Sequence, residues 1–137
     1  MRLLMTSELL KHQGLAEKPD VIAPDGSEIR LLPALQDDVA SVVHCTLPPA
    51  QTSLTISHQT VEEVWHLISG TGQVWRAFDG FESIAAVGTD DSLNIPLGTK
   101  FQFRNSGPDD LEFIIVTSPP WPGEGEAKRE PDYWQTV

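Results

Sequence analysis

From residue 20 onward the apolar positions come in short runs of Val, Ile, Leu, Phe and Trp, broken by Gly, Pro and Asp at close intervals. That spacing predicts many short strands, because strands alternate faces at every residue and end at turn residues. Two hairpins stand out, Val21 to Leu32 turning at Asp25-Gly26 and Gln73 to Ile84 turning at Asp79-Gly80. Asp-Gly takes positive φ at little cost and twists in the sense of the flanking strands. Further strands are predicted at 39–47, 52–58, 63–68, 92–95, 100–104 and 111–117. No helical period is sustained between 20 and 118, so the expected class is all-β, a sandwich or barrel.

The flanks read differently. Thr6 or Ser7 followed by Glu8-Leu9-Leu10-Lys11-His12 predicts a short, capped N-terminal helix ending near Gly14. Ser118 to Glu126 holds three prolines and two glycines and is expected to be irregular. Trp121 and Trp134 lie in this tail, and such large apolar groups argue that it packs on the barrel as a strap. The expected organisation is one domain over 1–137, with an N-terminal segment 1–19, a barrel core of about 20–118 and a C-terminal strap 119–137.

Charge narrows the partners. Twenty Asp and Glu against nine Lys and Arg give a formal net charge of -11 in 137 residues. Nucleic acid and anionic membranes are disfavoured partners for such a surface, since both recruit cationic side chains. Hydrophobic residues make up 39% and charged residues 21%, which suits a folded globule and not an acidic disordered tail. Cys45 is the one cysteine, so no internal disulfide forms, as in a reducing cytoplasm. Glu8 and Lys11 interrupt the opening apolar residues, which therefore read as neither signal peptide nor membrane span. The expected location is cytoplasmic.

A constellation of spaced residues lies between 50 and 105. Ala50, Ile56, His58, Glu63 and Gly70 form one set, and Gly88, Pro96-Leu97-Gly98, Phe101 and Asn105 form the second. Their spacing resembles the two motifs of the cupin superfamily, small double-stranded β-helix (jelly-roll) barrels. The first motif has a glycine where Ala50 stands and a first histidine where Ile56 stands, with His58, Glu63 and Gly70 at the remaining positions. In the second, Phe101 takes the histidine position and Asn105 the asparagine position, and two extra residues separate Gly88 from Pro96. Thr60 to Trp65, Phe101 to Arg104 and the tail Pro119 to Glu124 look like a subgroup of small single-domain cupins.

The resemblance implies a site inside the barrel. With Glu63 inward as in cupins, Trp65 and Leu67 also point in, while Val64, His66 and Ile68 point out. Leu54, Ile56 and His58 share the inner face of the preceding strand, and Phe101 and Phe103 share that of the strand after Gly98. The expected ligand-binding set is Ile56, His58, Glu63, Trp65, Phe101 and Phe103, an apolar pocket whose polar groups are His58 and Glu63. Metal binding by the family implies His58 and Glu63 as ligands, with His44 as a candidate third and iron, manganese, nickel or zinc as the metal. Two ligands are fewer than such sites use, and a buried His58–Glu63 hydrogen bond is the plainer expectation. No catalytic residue is assigned.

Other residues carry blander expectations. His12 reads as exposed, His66 as an outer-sheet residue, Cys45 as packing, Asp90-Asp91 as a solvated turn and Trp75 as core. Arg76 and Arg104 are expected to pair with surface carboxylates. Cupins resembling this chain pair as homodimers through an outer sheet, for which Val64, His66 and Ile68 are candidates. Three functions stay open: a small-molecule-binding cupin whose metal site has decayed, a metal-dependent oxygenase or isomerase, and an interaction protein with a filled barrel. One superfold hosts all three.

Overall fold

A computed structural model describes residues 10–136. Eleven strands are found among them: β1 (Val21–Ile22), β2 (Glu28–Leu31), β3 (Ser41–Leu47), β4 (Ile56–His58), β5 (Glu62–Ser69), β6 (Gly72–Phe78), β7 (Phe81–Val87), β8 (Ser92–Ile95), β9 (Lys100–Asn105), β10 (Leu111–Ser118) and β11 (Ala127–Arg129). They build two antiparallel sheets, β1-β2-β3-β10-β5-β8 and β11-β4-β9-β6-β7. No described residue is in an α-helix; Pro33–Leu35 forms a single 3-10 turn.

The alternation read from the sequence is the one that folds. Along β5, Glu63, Trp65 and Leu67 are buried while Glu62, Val64, His66 and Ile68 are exposed. The hairpin β6–β7 turns on Asp79 (φ 49°) and Gly80 (φ 83°), both left-handed as a tight two-residue turn demands. The first hairpin is looser. Ile22 pairs with Glu28, leaving five residues in the loop, and the Asp25 carboxylate accepts the Ser27 amide and hydroxyl instead. Of the strand expected over 52–58, only Ile56–His58 forms, with Thr52 making an isolated bridge to Arg104.

Two expectations about the flanks need correction. Most of the N-terminal helix lies outside the described residues, and its described end, 10–14, is a bend followed by irregular chain. Leu10 is 71% exposed there, so that described end lacks the tertiary contact a short helix needs. The strap, for its part, is not wholly irregular: Ala127–Arg129 pairs with His58–Ile56 as β11. Beyond it, the Gln102 side chain accepts the Tyr133 and Trp134 amides and donates to the Trp134 carbonyl. Tyr133 stacks on Trp75 and Arg104 lies over Trp134. Trp75 is therefore buried on the outer side of its sheet, under the tail, and not in the barrel interior.

The core is filled at one end. Trp65 stacks on Phe113, and Phe103 meets both edge-on, with ring centroids 4.6–5.4 Å apart. Leu47, Leu67, Val74, Val87 and Leu111 complete this layer. Each such side chain contributes about 2–3 kcal/mol by leaving water.

Candidate functional site

The other end of the barrel is open. A cavity of about 340 Å³ is walled by Ser41 and Val43 of β3, Ile56 and His58 of β4, Glu63 and Trp65 of β5, Phe101 of β9, Ile115 and Thr117 of β10, and Trp121 of the strap. On each of β3, β5, β9 and β10 the next inward residue, Cys45, Leu67, Phe103 or Phe113, belongs to the packed layer and not to the cavity. The cavity reaches the surface past the first hairpin, where Val21, Ile22 and Leu31 line it and are exposed.

Five of the six residues expected at the site thus share one cavity: Ile56, His58, Glu63, Trp65 and Phe101. Phe103 is on the correct face but one layer deeper, wedged against Trp65 and Phe113. His44 is placed elsewhere. Strand alternation points Ser41, Val43 and Cys45 inward and His44 outward, where its Nε2 lies 3.3 Å from Glu112. Sequence reasoning missed Asp25, Ser27, Thr117 and Trp121 as wall residues. Thr117 was accessible by alternation from Ile115; the other three sit in turn or strap, where no periodicity operates.

Glu63 is held rigidly. Its Oε1 accepts the Trp65 indole N–H at 2.9 Å and its Oε2 the Thr117 hydroxyl at 3.2 Å. Burial pushes its pKa up to about 7, with the nearby Asp25 and Glu126 adding to the rise and the two hydrogen bonds resisting it. The carboxyl can therefore both take and give a proton near neutrality. His58 Nδ1 lies 3.9 Å from Glu63 Oε2, too far for the expected hydrogen bond, and has no other partner among the described residues. Burial lowers its pKa to about 4, against the pull of Glu126, so the imidazole is neutral at pH 7 and the two groups are not an ion pair. Phe101 and Trp121 hold the ring edge-on from two sides, each at 5.3 Å.

The strap fixes this geometry. The Glu126 carboxylate accepts the backbone amides of Gln59, Thr60 and Val61 and the Thr60 hydroxyl, clamping the turn between His58 and Glu63. The Trp121 amide donates to the Ser41 hydroxyl, seating the indole at the cavity wall.

A divalent metal does not fit these residues. Ile56 and Phe101 stand directly opposite one another across β4 and β9, and neither has a donor atom. His44 faces outward. Among the described residues no three His, Cys, Asp or Glu side chains converge.

No protein-family model matches the chain. It is 34% identical over 85 residues to the xanthan biosynthesis protein XanB of Xanthomonas campestris pv. campestris, covering 62% of this chain and 17% of that protein. It is 28% identical over 124 residues to the uncharacterized protein MJ1618 of Methanocaldococcus jannaschii, covering 88% of this chain and 95% of that one. Among solved structures, the capsular polysaccharide assembling protein CapF of Staphylococcus aureus superposes with a TM-score of 0.68 at 17% identity, over 86% of this chain and 34% of CapF. The Cnp3 cupin domain of Schizosaccharomyces pombe superposes at 0.61 with 9% identity, over 78% and 69%. The chain spans only about a sixth of XanB and a third of CapF. No helix of the described residues is long and apolar enough to cross a membrane. Two antiparallel sheets closing on a one-ended cavity, with the spaced His58, Glu63, Gly70 and Asn105, place this chain in the cupin fold.

Proposed function

We propose that the protein binds a compact, largely apolar small molecule inside the barrel, without a metal. The observation that carries this reading is the cavity itself: aromatic and aliphatic walls, with Glu63 and the unpartnered His58 as convergent polar groups. An engineered cavity of about 150 Å³ takes benzene, so 340 Å³ suits a two-ring molecule or one ring with a short chain. An interaction protein with a filled barrel has no use for this space.

Trp65 and Trp121 line the cavity, so their fluorescence reports occupancy. Titration with two single-ring probes, 2-phenylethanol and 2-phenylethylamine, should change that fluorescence saturably and raise the melting temperature. Val43→Phe, which fills the cavity from β3, should abolish both effects while leaving the fold intact by circular dichroism. Neither probe binding, or binding unchanged in the filled variant, overturns the reading.

The expected homodimer belongs to the same proposal. Val64 and Ile68 of β5 and Val116 of β10 are exposed on the outer face of the larger sheet, an apolar row on a strongly acidic chain. A monomeric mass by light scattering at micromolar concentration would sink it.

A further inference from the structure

The charges around the cavity are one-sided. Asp25 and Glu63 both line it, and Glu126 stands close enough to act on His58 and Glu63 through space. Among the described residues no lysine or arginine lines it. The wall also holds a buried polar atom with no hydrogen-bond partner among the described residues: His58 Nδ1, on a residue 4% exposed, faces Glu63 Oε2 across 3.9 Å. Trp65, Phe101 and Trp121 present aromatic surface to the same space.

We propose that the ligand is a primary or secondary organic amine bound as its ammonium ion, with the cationic head at Glu63 and His58 and the apolar body against Trp65, Phe101 and Trp121. This rests on the binding function proposed above and names the class of molecule bound. An ammonium carries several N–H donors and no acceptor, so one head can donate to the Glu63 carboxylate and to the neutral imidazole together. A hydroxyl has a single donor, and beside the ionised Glu63 it satisfies only one of them. A carboxylate or phosphate would meet Asp25 and Glu63 with no cation to offset them. The aromatic faces add cation–π attraction, which strengthens as water is excluded. The net charge of -11 steers a cation toward the molecule and an anion away from it.

Three probes that share a phenyl ring and differ in the head group test this at pH 7.5: 2-phenylethylamine, 2-phenylethanol and phenylacetate. Isothermal titration calorimetry on the full chain should show the amine binding at least tenfold tighter than the alcohol, with no detectable binding of the acid. Glu63→Gln keeps the shape of the site and removes the charge. It should weaken the amine at least tenfold and change the alcohol less than threefold. The comparison of the three heads on the unaltered protein stands even if that variant fails to fold. The alcohol or the acid binding as tightly as the amine overturns the charge assignment alone. An amine preference that survives in Glu63→Gln overturns the placement of the head. None of the three binding overturns this inference and the binding function with it.

Discussion

His58 Nδ1 and Glu63 Oε2 face one another at 3.9 Å with neither a proton nor a charge shared between them. Both are buried, and burial acts on them in opposite directions, raising the acid and lowering the base. Near neutrality the imidazole is uncharged and the carboxyl is close to its midpoint. Folding has paid for two polar groups at the wall of an apolar cavity, and among the described residues only Glu63 finds hydrogen-bond partners for its polar atoms while His58 Nδ1 finds none.

Stability should fall as pH rises through the range of Glu63. Its pKa is about 7 in the folded protein against an ordinary 4.5. The folded state thus retains a proton that the unfolded chain releases. The stabilisation is whole below pH 4.5 and is lost by about pH 7. Urea unfolding at pH 4.5 and 7.5 should show the wild type losing about 3 kcal/mol relative to Glu63→Gln across that window. Parallel pH profiles for the two proteins would refute the shift.

His58 carries the opposite sign. Its folded pKa of about 4 lies below the ordinary 6.5, so its contribution is whole above pH 6.5 and disappears as pH falls toward 4. In His58→Leu that loss is absent, and the variant should gain up to about 3 kcal/mol on the wild type between pH 7.5 and 4. At pH 7.5 it should be as stable as the wild type or better by about 1 kcal/mol, since it deletes an unsatisfied buried nitrogen. A variant clearly less stable at pH 7.5 would mean that Nδ1 has a partner.

Much of this was legible in the sequence, and the limits are physical. Alternation along Glu62–Ser69 placed Glu63, Trp65 and Leu67 inward, because a strand has a period of two. The same rule put Phe101 and Phe103 on one face but says nothing of depth along the barrel axis, where one lines the cavity and the other fills the core. His44 is a candidate third ligand only as a residue of a neighbouring strand, and with Cys45 inward strand alternation turns it away. Trp75 was assigned inward on its aromatic character, and only the tail's return over that sheet explains its burial outside. Asp25 and Trp121 depend on a turn and a strap, which carry no periodic signal at all.

Gln102 should be the main fastening of the strap. It is fully buried, and its amide serves the Tyr133 amide, both backbone groups of Trp134 and the Ser53 carbonyl. Gln102→Ala strands several of these groups and should cost about 2–4 kcal/mol. The segment after β11 should then become the first site of limited proteolysis. Equal protection of the tail in variant and wild type would show that Trp75, Tyr133 and Arg104 hold it by themselves.

The absence of donor atoms at two positions can be reversed. Ile56 and Phe101 are opposite neighbours on β4 and β9, and both line the cavity with His58 and Glu63. Placing imidazoles there would bring three nitrogens and a carboxylate to one wall, a complete set for nickel or zinc. The double variant Ile56→His/Phe101→His should bind one divalent ion per chain at least a hundredfold tighter than the wild type by calorimetry. Losing two large apolar groups from the barrel should lower its stability by about 2–5 kcal/mol without metal, and the ion should restore part of that loss. A folded double variant with no gain in affinity would show that His58 and Glu63 do not aim at the ground between those strands, and the geometry assigned to this wall would fail with it.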